Sequence, residues 1–229
     1  MLYRSVLFLL TVLITSKSFS QPAAGTDTTK GTFERVEVEA TFPGGIDEWR
    51  HFLERNLNPG VPVDNGAPCG KYTVYVQFIV DKDGRVSDIK PLTREGFGME
   101  QEVVRIMKES GTWDPAMMKG KPVKAYRKQP VTFMVEQEGF NIVSKTPYIL
   151  YTKTDNELTI DVDDLKAENM DVTISEGSIA RMGNGNFVAR VSKTGRVTVT
   201  VHNKKGKRQQ IGAASFEVMK QPAAKDSSN

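Results

Sequence analysis

Hydrophobic positions change their period part-way along the chain. From residue 46 to 57, Ile46, Trp49, Leu53 and Leu57 fall at helical spacing, with Phe52 widening the stripe. Asp47 and Glu48 lie in the first turn, where carboxylates favour the positive end of the helix dipole, and Asn58-Pro59-Gly60 predicts the stop. Over residues 72–80 the period becomes two: Val74, Val76, Phe78 and Val80 share one face of a predicted strand. Asp81-Lys82-Asp83-Gly84 reads as a hairpin turn into a second extended run, residues 85–92. Met99, Val103, Ile106 and Met107 then return to helical spacing, with Glu100 and Glu102 at the start and Gly111 as the stop. Gly120-Lys121-Pro122 reads as a turn, and Val131, Phe133 and Val135 alternate in a last strand that Pro130 assigns to a sheet edge or a strand start. Helix, strand, hairpin, strand, helix, strand predicts a two-layer α+β domain over residues 33–137: a small antiparallel sheet carrying two helices.

Beyond residue 138 the period is strand-like only. Leu158, Ile160 and Val162 alternate, as do Val172 and Ile174, Phe187, Ala189 and Val191, then Val197, Val199 and Val201, then Phe216 and Val218. Turn residues separate them at Thr154-Asp155-Asn156, Gly183-Asn184-Gly185-Asn186, Thr194-Gly195 and Lys204-Lys205-Gly206. Six to eight short strands of this kind predict an all-β sandwich over residues 138–220. Residues 221–229 are polar and read as a disordered tail.

Composition narrows the function. The chain has 229 residues, a net charge of +3 and 26% charged residues, too mild a surplus to argue for nucleic acid. Residues 1–20 combine Arg4, a short apolar run from Val6 to Ile14, and small residues at Ser18 and Ser20. A spanning helix needs about 20 apolar residues, so the run predicts a secretory signal cut after Ser20, leaving residues 21–32 as a flexible linker. The alternative is that residues 1–20 are retained as an anchor. Cys69 is the only cysteine, so no intrachain disulfide forms, and its thiol reads as incidental and partly buried. Two basic clusters stand out: Lys119, Lys121, Lys124, Arg127 and Lys128, then Lys204, Lys205, Lys207 and Arg208. Both read first as solvated turns, with an acidic protein patch or anionic head groups as the alternatives.

Catalytic patterns are missing. There is no Gly-x-Ser-x-Gly, His-Glu-x-x-His, Cys-x-x-Cys or phosphate-binding glycine loop, and His51 and His202 fall in different predicted domains. Asp81-Lys82-Asp83-Gly84 lacks the later ligands of a calcium loop, and Asp161, Asp163 and Asp164 read as a solvated turn. The expectation is therefore no enzyme, no cofactor and no metal.

Four motifs occur in order: Phe42-Pro43-Gly44-Gly45, the Val80-Asp81 hairpin ending at Gly84, Gly96-Phe97-Gly98-Met99, and Trp113-Asp114-Pro115 followed by Gly120-Lys121-Pro122-Val123 and Pro130-Val131-Thr132-Phe133. Together they resemble the TonB C-terminal domain, the periplasmic end of bacterial energy-transducing proteins. Residues 61–70 depart from that pattern, where the family usually has a short helical turn. The later half resembles the C-terminal immunoglobulin-like domain of GldM, a periplasmic protein of the gliding and type IX secretion motor. The carriers are Tyr148-Ile149-Leu150-Tyr151, Asn186-Phe187-Val188-Ala189-Arg190 and Ile211-Gly212-Ala213-Ala214-Ser215-Phe216.

The first resemblance implies binding through a sheet edge, with main-chain groups giving affinity and alternate side chains giving selectivity. The candidate site is the last strand: Gln129, Val131, Thr132, Phe133, Met134 and Val135, flanked by Arg127 and Lys128, whose charges suit an acidic partner. The expected partner is a cell-envelope protein, an outer-membrane receptor or a secretion or motility component, with no nucleic acid; a homodimer is the competing occupant of the edge. The expected function is a soluble periplasmic binding or assembly module. The alternatives are a TonB-type energy transducer with a retained anchor, and a structural accessory of the gliding or type IX secretion motor. Residues 21–32 are not proline-rich and extend at most about 40 Å, which argues against force transduction.

Overall fold

The computed structural model describes the backbone of Thr28–Thr29 and residues 31–222. The expected signal, its cleavage point, most of the linker and residues 223–229 of the expected tail lie outside the described residues. No described helix is long and apolar enough to cross a membrane. The described residues form two compact units. One contains the residues up to Gly66 together with Tyr72–Phe133, the other Ala67–Lys71 together with the residues from Met134 onward. Ala67–Lys71 and the residues from Met134 on thus group with the C-terminal unit.

In the N-terminal unit, strands β1 (Thr28–Thr29) and β2 (Thr32–Phe33) precede helices α1 (Gly45–Asn56) and α2 (Val61–Asp64). Strands β3 (Cys69–Val80) and β4 (Val86–Pro91) form the predicted hairpin, followed by α3 (Met99–Glu109), β5 (Ala116–Met118), β6 (Lys121–Val123) and β7 (Ala125–Val135). Strand β3 is central, with β4 antiparallel along one side and β7 along the other. Thr28–Thr29 and Thr32, expected as linker, instead pair antiparallel together with Phe33, which continues in parallel onto Ala125. The segment 61–70 also differs from its reading: it opens with the short helix α2, with Pro62 in its first turn, where a missing N–H costs nothing.

The core of this unit is aromatic. Trp49 and Leu53 of α1 are buried, and Trp49 packs against Phe42 and Trp113 at centroid distances of 5.3 and 5.5 Å. Trp113 meets the ring of Phe78 edge-on at 4.9 Å, the geometry that ring quadrupoles favour. Its indole N–H donates to Ser110 Oγ (3.0 Å), which donates to the Met107 carbonyl (2.8 Å). Gly84 in the β3–β4 turn accepts from the Trp113 N–H at 2.9 Å; its φ is +80°, and a Cβ there would lie 2.1 Å from the Trp113 carbonyl oxygen. Glycine is required at that turn on both counts.

The stripe of α3 is buried as its period predicts, and Glu102 is buried with it. Its carboxylate is held by Arg105 through bonds of 2.6 and 2.9 Å and accepts the Asn58 N–H at 2.6 Å. Arg105 also donates to the Asn56 carbonyl (2.7 Å) and Glu109 (2.7 Å), so one ion pair ties the end of α1 to α3. Burial alone raises the Glu102 pKa, but the bonds from Arg105 and Asn58 outweigh it, and the net shift is downward. The Arg105 guanidinium is shifted further up by Glu102 and Glu109.

The C-terminal unit contains β8 (Phe140–Ser144), β9 (Ile149–Tyr151), β10 (Asn156–Val162), β11 (Met170–Ile174), β12 (Ser178–Gly183), β13 (Asn186–Arg190), β14 (Gly195–Asn203) and β15 (Gln209–Met219). Strands β12, β13, β10 and β8 form one sheet. Strands β11, β14 and β15 run antiparallel in another, where β15 also takes β9 and the two residues Cys69 and Gly70 in parallel. Inward residues of both sheets, among them Leu158, Phe187, Val199 and Phe216, belong to one hydrophobic cluster. Cys69 is also in it, which corrects the partly buried, incidental reading: the residue occupies core space beside Ala214. Three strands had no period to announce them. Strand β9 has three residues, β12 is mostly exposed, and β8 turns Ser144 inward beside Phe140 and Ile142.

Candidate interaction edge

Strand β7 carries every residue of the predicted site. Its alternation is regular except at Arg127: Ala125, Gln129, Val131, Phe133 and Val135 are buried and Arg127 half-buried on one face, while on the other Lys128 and Pro130 are exposed and Tyr126, Thr132 and Met134 half-buried. Met134 and Val135 group with the C-terminal unit, so the stretch within the N-terminal unit ends at Phe133. Four of the predicted site residues, Gln129, Val131, Phe133 and Val135, are therefore buried and have no side chain to offer a partner. Thr132 lies on the opposite face, its hydroxyl 3.0 Å from that of Thr73.

One side of β7 lies against β3, and on the other β2 reaches only as far as Ala125. No described strand pairs with that side from Arg127 to Val135. Which main-chain groups face this edge is fixed by one bond. The Phe33 N–H donates to the Lys124 carbonyl at 2.9 Å, so residue 124 points its polar groups away from β3. Successive residues of a strand point their N–H and C=O to opposite sides. Lys128, Pro130 and Thr132 consequently present theirs to the open edge, while Arg127, Gln129, Val131 and Phe133 present theirs to β3. The β4 side agrees: Leu92 donates to the Tyr75 carbonyl, leaving the even residues of β3 to face β7. Pro130 sits at the parity a proline needs, since its missing N–H is missing from the edge and not from the ladder.

Arg127 and Lys128 differ in kind. Lys128 is exposed. Arg127 has a 28% exposed side chain whose one described ion pair, to Glu39 Oε2, is long at 3.4 Å. Its Nε is buried and has no acceptor among the described residues. Sequence reasoning found Arg127 by charge but had no signal for Glu39, which lies far away in the chain. It also placed the preceding turn one step late. The β5–β6 hairpin turns at Lys119 and Gly120, both at positive φ (50° and 70°), and Pro122 lies in β6 opposite Met117.

Two family models match, one after the other. Residues 72–135 match the Gram-negative bacterial TonB protein C-terminal, and residues 140–219 match the GldM third domain. The TonB-type match runs from Tyr72 of β3 to the end of β7, so it contains the open edge; α1 and the Phe42-Pro43-Gly44-Gly45 motif precede it. The GldM-type match begins with β8 and ends with β15. No curated protein matches the chain.

Proposed function

We propose that this protein is a cell-envelope protein-interaction module, acting in the periplasm, whose TonB-type domain binds an extended segment of an outer-membrane or secretion-system protein by adding it as a strand beside β7. The observation that carries the reading is the open edge itself: at least Lys128 and Thr132 present both main-chain groups to a side that no described strand covers. An added strand takes its affinity from such groups. We read the TonB-type domain as a two-layer α+β fold that holds the edge rigid from behind, through the buried row of β7 and the aromatic cluster around Trp113. We read the GldM-type domain as a β-sandwich, a reading supported by the shared cluster of inward residues from its two sheets, and assign to it the docking of a secretion or envelope component. On this reading the protein binds and does not catalyse.

Titration of the isotope-labelled full chain with peptides from the plug domains of outer-membrane receptors tests the proposal. The amides of Lys128 and Thr132 should shift together and saturate. No shift at either amide with millimolar peptide would remove the strand-addition reading.

A further inference from the structure

The open edge is uneven, and its unevenness describes the strand that fits it. At one end Arg127 carries a guanidinium with five donors, of which the described residues engage one over a long 3.4 Å contact, leaving Nε buried without an acceptor. Three residues on, Pro130 contributes a carbonyl but no N–H. Thr132 again offers both groups. Resting on the strand-addition reading, we propose that β7 selects an extended segment with a carboxylate beside Arg127 and a ladder interrupted three residues away, opposite Pro130.

Arg127 turns its own N–H and C=O towards β3, so in an antiparallel addition the residue lying beside it occupies a non-hydrogen-bonded position. Side chains are closest there, with Cβ atoms about 4.5–5.5 Å apart. The side chain of that residue falls on the same face of the sheet as the Arg127 side chain. A glutamate or aspartate there supplies the acceptor that the guanidinium lacks, while Lys128 points its charge to the opposite face of the sheet. A residue without an acceptor leaves the buried Nε unsatisfied, the costly arrangement for a donor, and a glutamine can accept there but brings no charge. The spacing of three residues from Arg127 to Pro130 is the same whether the added strand runs parallel or antiparallel, so it does not depend on chain direction. Pro130 also acts against the competing occupant. Two copies of β7 pairing edge to edge would each meet the other's missing donor, whereas a short acidic segment meets it once; prolines on exposed edges restrain self-association in this way.

The test uses the full chain and capped heptapeptides of alternating valine and threonine, with a single glutamate moved through the central positions and a glutamine counterpart for each. Binding is read at low salt from the amides of Lys128 and Thr132. One glutamate position should bind about fivefold more tightly than its glutamine twin, and the preference should shrink in 0.5 M salt as the charges are screened. Arg127→Gln should remove the preference while leaving the glutamine peptide's affinity in place. Pro130→Ala should tighten every peptide by about two- to tenfold, the worth of one restored hydrogen bond. Equal binding of glutamate and glutamine peptides to the unaltered chain would overturn the proposal without any variant. So would an Arg127→Gln protein that weakens both alike. If no peptide shifts either amide, the strand-addition reading fails first and the selectivity falls with it.

Discussion

Strand β7 in the N-terminal unit and strand β15 in the C-terminal unit are both long, 11 residues each, and their outer edges are treated in opposite ways. The edge of β15 is closed piece by piece. Strand β9 covers Glu217 to Met219, Cys69 and Gly70 cover Ala214 and Ser215, and the Gln137 side chain caps the Ile211 carbonyl at 3.0 Å. On β7 the cover stops at Ala125, and the uncovered stretch carries Arg127, Lys128 and Pro130. An edge that closes with such short segments is being protected; an edge blunted only by Pro130 and charge remains available. Burying the alternate row of β7 fixes the strand while leaving its polar groups exposed to a partner. The difference between the two edges is the physical content of the proposed function.

The largest expected effect comes from removing the support behind the open edge. Trp113→Ala should destabilise the N-terminal unit by about 3–5 kcal/mol, read as a lower urea midpoint, because the ring packs on Phe42, Trp49 and Phe78. A loss below about 1 kcal/mol, small for a buried aromatic, would mean that the aromatic cluster does not support β7.

The closed edge can be broken next. The Asn156 side chain accepts the Tyr151 N–H at 2.7 Å and donates to the carbonyls of Tyr151, Thr154 and Ala189, pinning β9 where it covers β15. Asn156→Ala leaves several buried groups unsatisfied and should cost about 2–3 kcal/mol, with hydrogen exchange rising at the amides of β9. Unchanged exchange there would remove Asn156 from the closure.

Acid tests the clamp between α1 and α3. The folded-state pKa of Glu102 is lowered, so its stabilising contribution is full above the unfolded value of about 4.3 and is lost as pH falls through the lower folded value. Glu102→Gln should therefore flatten part of the fall in stability below about pH 4. An identical acid limb in variant and parent would show that the ion pair carries no pH linkage.

The smallest effect sharpens the open edge. Pro130→Thr restores a donor at the outer side and should change monomer stability by no more than about 1 kcal/mol. It should, however, promote concentration-dependent association by sedimentation. A variant as monomeric as the parent would show that Pro130 does not restrain pairing.

Much of the fold was legible in sequence, and the rest was hidden for a common reason. The stripes of α1 and α3 and the alternation of β3, β7, β10 and β14 come from burial on one face, which periodicity reports directly. Strands β5 and β6 are three residues each, too short for a period, and they obscured that β7 starts at Ala125 and not near Gln129. Glu102 looked like a dipole partner at a helix start, because its second role depends on Asn58 and Arg105 meeting it in space. The closure of β15 by Cys69 was illegible for the same reason: a two-residue contact between positions far apart in the chain leaves no local trace. For the site, charge pointed to Arg127 and Lys128, but only the pairing of Phe33 with Ala125 shows which main-chain groups are open.

Residue-resolved hydrogen exchange along β7 tests that parity most directly. The amides of Lys128 and Thr132 should exchange rapidly, and those of Arg127, Gln129, Val131 and Phe133 should be protected by β3. Protection of Lys128 and Thr132 equal to that of their neighbours, in the chain without any partner, would mean that the edge is already closed and would contradict strand addition at β7.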